Sequence, residues 1–585
     1  MLGLITITSV IRNWRNNLRP EEGRNEKRPV EREANDKCET NAEVERNFDI
    51  DEPPISICFL FHLFDFFLLL ETIMAEFKLP NETLRRMMAH MSRNMDKGLE
   101  GGPKKSTVSM LPSFVPELPD GTEEGRFIAM DLGGTNLRVM LMDIIPGEEL
   151  KTEQFNTRIP NWAMHGTGEQ LFDYITKCLA EFLIEKGVEN DGLPVGFTFS
   201  YPCDQKSLRS ATLLRWTKGF EASGVVGEDV VKLLEKSIAK RGDINVEVLA
   251  LINDTVGTMV AAAHETGGQC HIGVIIATGT NASYMEDISK IKYGLSESTT
   301  DYKYPTMIID TEWGGFGDHS EADYILTQYD KIVDSFSEHP GVNTFDKLVG
   351  GKCMGEVVRV VLEKLTRAGV LFDGRGSETL FKRDSFPTKY ISEILRDESG
   401  SYINIRDIMG ELGIDQYNFS DMLLVREVCI VVSHRAANLG AAAIACILNR
   451  IRKKNMVAGI DGSTYKYHPF FDFWVHDKLK ELVDPGIKFK LIQTADGSGK
   501  GAALITAIIA RLNKRKQQQC KIDQHIISIG QNVEQISEIK ENGKESMKEK
   551  QKERIDEVNL VTDDMPINGS FNGEIQNGMI HLSTS

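Results

Sequence analysis

The chain has 585 residues, 41% of them hydrophobic and 26% charged, so it is long enough for more than one soluble domain with a sizeable core. Its formal net charge of -18 argues against nucleic acid as the main partner. The 9 cysteines form no CxxC pair, which argues against a disulfide framework and is typical of a reduced, cytoplasmic protein. The 12 histidines form no HExxH pattern, which argues against a protein-caged transition metal.

Residues 1–75 differ in composition from the remainder of the chain. They contain the apolar run ISICFLFHLFDFFLLL at residues 55–70, which is short for a membrane span and includes His62 and Asp65. No small-residue cleavage site follows, as a signal peptide requires. Two interpretations remain open: a disordered N-terminal extension outside the working protein, with Met74 as an internal start, or a weak anchor to the mitochondrial outer membrane.

From about residue 76 to 512, short apolar β-branched runs alternate with helical periodicity, which predicts a compact α/β region. Its first motif is FIAMDLGGTNLRVMLMDI, residues 127–144, which we interpret as a strand, a Gly-Gly turn and a second strand. Such a turn lets the backbone approach a ligand closely, and its successive N–H groups bind anions. Asp131, at the end of the first strand, is a candidate to hold Mg²⁺ through water. An ordinary hairpin has the same pattern, so the motif alone leaves phosphate binding open.

A second candidate site lies in GFTFSYPCDQ, residues 196–205, followed by LLRWTKGF, residues 213–220. The sequence places a polar Thr-Phe-Ser in an apolar strand and a Thr-Lys pair directly after a tryptophan. The needs of folding alone explain neither feature well. A ligand rich in hydroxyl groups would explain both, because buried hydroxyls must find hydrogen-bond partners.

An acidic residue follows the next predicted strand. In VEVLALINDTVGTMVAAAHE, residues 246–265, an apolar strand runs into Asn253-Asp254 and then an Ala-rich helix. Asp254 is placed to cap that helix. It is equally placed, as a carboxylate at the carboxyl edge of a sheet, to accept a proton from a hydroxyl nucleophile.

The strand-turn-strand pattern recurs in HIGVIIATGTNASYME, residues 271–286. Two such loops suggest two related halves that close on one nucleotide. No GxxxxGK[ST] motif occurs and no GxGxxG opens a helix after a strand, so neither a Walker loop nor a Rossmann fingerprint is present. Gly-Ser turns follow in VAGIDGSTYKYHP (457–469) and ADGSGKGAAL (495–504), and a helix N-terminus there suits phosphate.

Near its end the chain becomes polar, with few aromatic residues. The stretch KENGKESMKEKQKERIDE has no apolar face, and chains of this composition bury too little apolar surface to fold. Residues 514–585 are therefore predicted to form a disordered polar tail.

Together these segments resemble the eukaryotic hexokinase and glucokinase family, in its single-module form, over about residues 76–512. The sugar signature VGFTFSYP followed by LLRWTKGF is nearly intact, with Arg209 in place of a small polar residue, and TEWG, GGKCMGE and GSGKGAAL occur in family order. The resemblance implies an α/β fold class, with two actin-like (ribonuclease H-like) domains around a deep cleft. The implied large domain holds residues 76–117 and 253–495, and the small domain holds residues 118–252 and 496–513.

The resemblance also implies the site residues. Those matching the hexose site are Ser200, Thr217, Lys218, Asn253, Asp254, Asn281, Glu312 and Asp346. Asp254 resembles the family's general base toward the sugar 6-hydroxyl, and Lys218 would help to position that hydroxyl. Those matching the ATP site are Asp131, Gly133, Gly134, Thr135, Asn136, Thr278, Gly279, Lys352, Thr388, Ser392, Gly462, Ser463 and Ser498. Mg²⁺ would arrive with ATP and bridge its phosphates rather than occupy an all-protein cage.

Three positions near this site depart from the family pattern. Asp346 stands where the family has glutamate and is one methylene shorter, so its bond near the anomeric end of the sugar is expected to be longer or to need tighter closure. Ala277 replaces a glycine, which is safe only if φ there is negative. Asp310 replaces a common asparagine and is expected to matter less.

The resemblance implies ATP-dependent phosphorylation of a hexose, expected to be D-glucose, at the 6-hydroxyl, giving a hexose 6-phosphate and ADP as the first step of glycolysis. A catalytically weak sugar-sensing relative remains the alternative, because of Asp346 and Ala277. A chaperone or filament ATPase of the same fold would share the phosphate loops but lack the sugar signature. The expected partners are the small molecules hexose and ATP in the cytoplasm, and the preferred hexose and oligomeric state stay open.

Overall fold

The computed structural model describes residues 68–133, 135–216, 219–295, 304–398, 400–494 and 496–561. Gly134, Thr217 and Lys218, most of the predicted N-terminal extension, and the end of the predicted tail lie outside these ranges.

Thirteen strands are assigned within the described residues. They are β1 Leu111–Pro112, β2 Gly125–Gly133, β3 Asn136–Ile144, β4 Lys151–Arg158, β5 Leu193–Phe199, β6 Cys203–Ser207, β7 Ser210–Leu213, β8 Val246–Ile252, β9 Cys270–Ile276, β10 Thr280–Asp287, β11 Thr306–Asp310, β12 Asn455–Asp461 and β13 Lys488–Gln493.

Helices supply most of the remaining regular structure, beginning with helical residues 68–76. They continue with α1 Asn81–Gly101, α2 Asn161–Met164, α3 Gly168–Lys186, α4 Val230–Arg241, α5 Asp254–Glu265, α6 Gln328–Ser335, α7 Thr344–Val349, α8 Gly351–Arg367, α9 Glu378–Phe381, α10 Thr388–Arg396, α11 Ile403–Glu411, α12 Phe419–Ile451, α13 Ser463–Tyr467, α14 Phe471–Leu482 and α15 Gly497–Val561. Short 3₁₀ helices are Gly102–Lys104, Ile288–Lys290, Trp313–Gly315, Asp323–Ile325 and Phe372–Gly374.

The first sheet has five strands in the order β4-β3-β2-β5-β8. Strands β4, β3 and β2 are antiparallel neighbours, and β5 and β8 continue the sheet in parallel. Along β2, Ile128 and Met130 join a core with α3 and α4, whereas Phe127 and Ala129 join a core with α5 and α15. Because alternate side chains point to opposite faces and both faces are covered, the strand reads as a continuous apolar run.

The second sheet has six strands in the order β1-β11-β10-β9-β12-β13. From β11 onward it repeats the pattern of the first sheet: an antiparallel hairpin of β9 and β10, an antiparallel third strand, and two parallel strands on the other side. The prediction of an α/β fold with two related halves is confirmed. We call the first sheet with α2–α4 the first lobe, and the second sheet with α6–α14 the second lobe.

Two helices lie between the sheets and link the lobes. Helix α5 follows β8 of the first sheet and packs on β9 of the second, whereas α15 follows β13 of the second sheet and packs on β2 and β5 of the first. They touch at Gly257 and Gly501, where a Cβ added to Gly501 would lie 2.1 Å from the Gly257 carbonyl oxygen. Only glycine allows this backbone contact.

Helix α12 is the central helix of the second lobe. A capping box at Asn418 and Asp421 starts it, and α1, α8, α10 and α14 pack around it. Within the described part of the chain it is long and apolar enough to cross a membrane, yet 89% of its most apolar stretch is buried inside the protein. This is the arrangement of a core helix.

The two predicted ends differ from the structure where it describes them. Residues 68–76 are helical and Ile73 is 1% exposed, so part of the predicted extension packs into the fold. Residues 514–561 continue α15 instead of being disordered. This segment is rich in Lys, Glu, Gln and Arg, which favour helix even where no apolar face is available for packing.

Candidate active site

Polar side chains from both lobes meet at one edge of the two sheets. In the first sheet, Asp131 lies near the end of β2, Ser200 follows β5, and Asn253 and Asp254 follow β8. The carboxyl ends of parallel strands share one edge, which is where α/β sheets bind ligands.

Asn253, not Asp254, caps helix α5. Its side-chain oxygen accepts hydrogen bonds from the backbone N–H and the hydroxyl of Thr255, both at 2.9 Å. Interpreting Asp254 as the cap is therefore wrong by one residue. Asp254 is the first helical residue and half-buried, and none of the described residues donates a hydrogen bond to its carboxylate. Among the described residues, the carboxylate is therefore not committed to a structural contact.

The second lobe contributes a network centred on Asn281. Its amide donates to Asp310 Oδ1 at 2.7 Å and to Glu312 Oε1 at 3.2 Å. Asn253 reaches the same Glu312 oxygen from α5, with its amide nitrogen 3.5 Å away. Glu312 has φ +49, which lies in the left-handed region of backbone conformation. Non-glycine residues adopt this conformation only at a cost in free energy, and residues strained in this way are concentrated at functional sites.

The two carboxyls of this network have perturbed acidity. Burial raises the pKa of Asp310 well above its usual value, and the neighbouring Glu312 raises it further, with partial compensation from Asn281. Burial also raises the pKa of Glu312, but the Arg215 guanidinium acts in the opposite direction. Both carboxyls are therefore protonated more readily than in water, and Asp310 more so than Glu312. Asp310, expected from the sequence to matter less, is one of the two carboxyls that accept a hydrogen bond from the central Asn281.

Asp346 holds the loop between β9 and β10. Its Oδ1 accepts a hydrogen bond from the Thr280 backbone N–H at 2.6 Å. A Cβ added to Gly279 would lie 2.7 Å from its carboxylate, and one added to Gly314 would lie 3.0 Å away. The loop therefore packs tightly around an aspartate. The neighbouring Ala277 has negative φ, so the alanine is tolerated there.

The predicted nucleotide residues of the first lobe meet the N-terminus of α15. The Ser498 hydroxyl donates to Asp131 Oδ2 at 2.8 Å, and the Thr198 hydroxyl donates to the Ser498 carbonyl at 3.1 Å. Arg138 on β3 forms an ion pair with Asp496. Gly133, Thr135 and Asn136 lie in the β2–β3 turn beside these contacts, with Asn136 exposed.

The predicted nucleotide residues of the second lobe are joined through backbone groups. Thr278 accepts from the Lys352 N–H at 3.0 Å, the Thr388 hydroxyl donates to the Gly351 carbonyl, and Gly462 has φ +124, which favours glycine. Thr278, Lys352 and Thr388 are thereby brought together. A Cβ added to Gly350 would lie 2.8 Å from Gly279 Cα, and one added to Gly462 would lie 2.3 Å from the Ile276 carbonyl oxygen, so both glycines pack against the same loop.

Other predicted positions are less directly engaged. The Lys352 side chain forms an exposed ion pair with Glu338 at 2.8 Å. Ser463 is exposed at the start of α13, and Ser392 lies one turn beyond Thr388 in α10. Arg209 forms exposed ion pairs with Glu235 and Glu247 inside the first lobe.

Sequence reasoning missed the residue that joins the two Gly-Ser turns. Asp461 Oδ1 accepts from the Gly462 N–H at 2.7 Å, and its Oδ2 accepts from the Gly497 N–H at 2.8 Å. An aspartate directly before each Gly-Ser pair, Asp461 and Asp496, was the available signal. It also missed Arg138 and Arg215, whose partners lie far away along the chain.

Comparison with known proteins places these features in a family. Two family models, both described as hexokinase, match residues 69–264 and 271–508. The chain is 78% identical over 590 residues to a hexokinase of Brugia malayi, covering 100% of each chain. It is 42% identical over 452 residues to hexokinase-1 of Homo sapiens, covering 76% of this chain and 48% of that protein, so it spans about half the length of this relative.

Comparison with solved structures indicates the same family. A hexokinase from Schistosoma mansoni complexed with glucose is 40% identical, with a TM-score of 0.70, and the match covers 76% of this chain and 99% of that one. A second hexokinase crystal structure is 27% identical, with a TM-score of 0.63 and the same coverages of 76% and 99%. These likenesses confirm the predicted fold class of two actin-like α/β domains around a cleft.

Proposed function

The chain belongs to the hexokinase family, and on that premise we propose that it transfers the γ-phosphoryl group of ATP to the 6-hydroxyl of a hexose. We propose D-glucose as the hexose, because the similar Schistosoma mansoni structure is described as a glucose complex. The products are ADP and hexose 6-phosphate, the first step of glycolysis. We also propose that the protein acts in the cytoplasm.

The observation that carries the proposal is the polar shell shared by the two lobes. Asn253, Asn281 and Glu312 supply amide donors and a carboxylate acceptor, which suit a ligand whose hydroxyls both donate and accept. A ligand that displaced these mutual contacts without hydroxyls of its own would leave the polar groups unpaired, so the site favours ligands that carry hydroxyls. Ser200 is buried at the first-lobe side of the shell.

Asp254 is the group best placed to take the proton. As the 6-hydroxyl attacks, the bond from its oxygen to the γ-phosphorus forms, the bond from that phosphorus to the β,γ-bridging oxygen breaks, and the hydroxyl proton passes to Asp254. Lys218, outside the described residues, retains its predicted role of positioning that hydroxyl.

The second group of residues fits ATP. The Gly-rich turns allow close approach to phosphates, and the N-terminus of α15 favours negative charge. Thr278, Thr388 and Ser498 supply hydroxyls. Mg²⁺ bound with ATP would neutralise charge on the transferred group, with Asp131 the candidate to hold it through water.

The test is glucose-dependent formation of ADP by the full chain. We expect turnover with ATP and glucose, and none when a 6-deoxy hexose replaces glucose, because the accepting hydroxyl is absent. Fructose and mannose, compared at equal concentrations, would establish the preferred hexose. Glucose binding without turnover would instead support the sugar-sensing alternative.

A further inference from the structure

Arg215 connects the two lobes across the cleft. It lies between Leu213 and Trp216, both of which pack into the core of the first lobe. Its Nη2 donates to the side-chain oxygen of Asn343 at 2.9 Å. Asn343 immediately precedes α7, whose Phe345 is fully buried in the second lobe.

The Asn343 end of this contact is held firmly. Asn343 has φ +58, and its N–H donates to Asp318 Oδ2 at 3.0 Å. The next N–H, of Thr344, donates to the other oxygen of the same carboxylate at 2.8 Å. The Asn343 amide therefore presents its oxygen from a fixed backbone rather than from a mobile loop.

The Arg215 end is also anchored through its neighbour. The Trp216 indole N–H donates to the Ala222 carbonyl at 2.8 Å, and its ring stacks on Phe220 with centroids 5.3 Å apart. Thr217 and Lys218, the predicted sugar residues, directly follow Trp216 in the sequence. A restraint on Arg215 thus acts on the chain next to them.

Both ends of the contact lead to the sugar shell. On the second-lobe side, α7 carries Asp346, which fixes the Thr280 N–H beside Asn281. On the first-lobe side, the Arg215 charge reaches Glu312 and opposes the rise of its pKa. The contact therefore acts both on how the two lobes approach each other and on the charge of Glu312, a predicted sugar-binding residue.

We propose that Arg215 is a positioning residue that fastens the first lobe to α7 in the closed protein and so sets hexose affinity. The proposal rests on the proposed hexose phosphorylation and adds to it a residue outside the predicted site. A contact between the lobes stabilises the arrangement in which it is made, and a ligand that prefers that arrangement binds more tightly as a result.

The expected effect is moderate, because the guanidinium is exposed. Hydrogen bonds of charged groups are among the stronger ones, but solvent weakens them at a surface. Arg215→Ala should raise the glucose KM and the glucose dissociation constant by about three- to tenfold and leave kcat within about twofold. Arg215→Lys, which keeps the charge without the planar fork, should recover part of the affinity.

A double-mutant cycle separates this contact from a general structural effect. Asn343→Gly removes the amide while tolerating the positive φ, so it should weaken glucose binding as Arg215→Ala does, and the double variant should be no weaker than either. Arg126→Ala is the matched control, because this exposed arginine lies outside the predicted site and, among the described residues, forms ion pairs only with Asp143 and Asp191. Its glucose KM should not change.

The measurements are steady-state kinetics and calorimetric titration of the full-length variants with glucose. Unchanged affinity in Arg215→Ala, or additive losses in the double variant, would overturn the proposal. Absence of turnover in the wild-type protein would refute the proposed function instead, and glucose calorimetry would still report on the Arg215 contact.

Discussion

Replacing Asp254 by alanine should abolish catalysis while preserving the fold. Asn253 already caps α5, so the loss of about 0.5–2 kcal/mol expected on removing an N-cap does not apply to Asp254. What Asp254→Ala removes is a carboxylate in the first helical turn, worth about 0.3–1 kcal/mol through the helix dipole. We therefore expect a fall in unfolding temperature of at most about 4 °C.

The catalytic effect should be far larger. A general base contributes roughly 10²–10⁴-fold to the rate, so kcat should fall by at least about a hundredfold. Thermal unfolding and coupled measurement of ADP formation on the same preparation would compare the two effects. Asp254→Asn, which keeps the shape of the side chain, is the second variant, should alanine disturb the fold.

Thr167→Ala provides the opposite control. Thr167 accepts a hydrogen bond from the Gln170 N–H at 3.2 Å in the capping box of α3, away from the site. We expect it to lower the free energy of unfolding by about 1 kcal/mol and to leave kcat unchanged. A folded Asp254→Ala protein that retains more than about a tenth of wild-type kcat would refute the assignment of Asp254 as the base.

The remaining tests concern Asp310, Asp346 and the two ends of the chain. Because burial raises the pKa of Asp310, the native state binds its proton more tightly than the unfolded chain, so the free energy of unfolding should fall as pH rises above the usual carboxyl pKa. Asp310→Asn should flatten that fall in unfolding temperatures recorded upward from about pH 4, and an unaltered slope would count against a buried proton at Asp310. Asp346→Glu should raise the glucose KM in steady-state kinetics, since the tight β9–β10 loop has adapted to aspartate, whereas a lower KM would mean that the shorter side chain limits sugar contact. A protein of residues 68–516 should match the full-length chain in stability and activity. One beginning at Met74 lacks the buried Ile73 and should lose about 1.5–3 kcal/mol of unfolding free energy, measured by chemical unfolding. Equal stability of the two shortened proteins would show that Ile73 contributes nothing.

The strands and turns could be predicted because each depends on local sequence. The run Phe127–Met130 is apolar at every position, which suits a strand buried on both faces, and the two glycine turns follow such strands. The near-repeat of the two strand-turn-strand motifs corresponds to the repeated sheet topology. Local pattern was therefore sufficient for the α/β class and the two related halves, whereas the two actin-like domains around a cleft were implied by the family resemblance.

The polar network could not be predicted in the same way, because its partners are distant along the chain. Whether Asn253 or Asp254 caps α5 depends on a shift of one residue, which sequence patterns do not resolve. The importance of Asp310 depends on its burial beside Glu312, and the contact of Arg215 depends on how the lobes meet. These are tertiary properties of single side chains.

The contact between Gly257 and Gly501 limits how the lobes can move. With backbone against backbone, there is no layer of side chains at that point across which α5 and α15 could slide, so sliding displacement is disfavoured and rotation about the contact remains. A small rotation there is magnified with distance, so the sugar shell and the Arg215 contact would travel farther than the helices themselves. An alanine at either glycine would place a methyl group between the two helices and so hold the lobes at a fixed angle. Every catalytic group of that protein would still be intact.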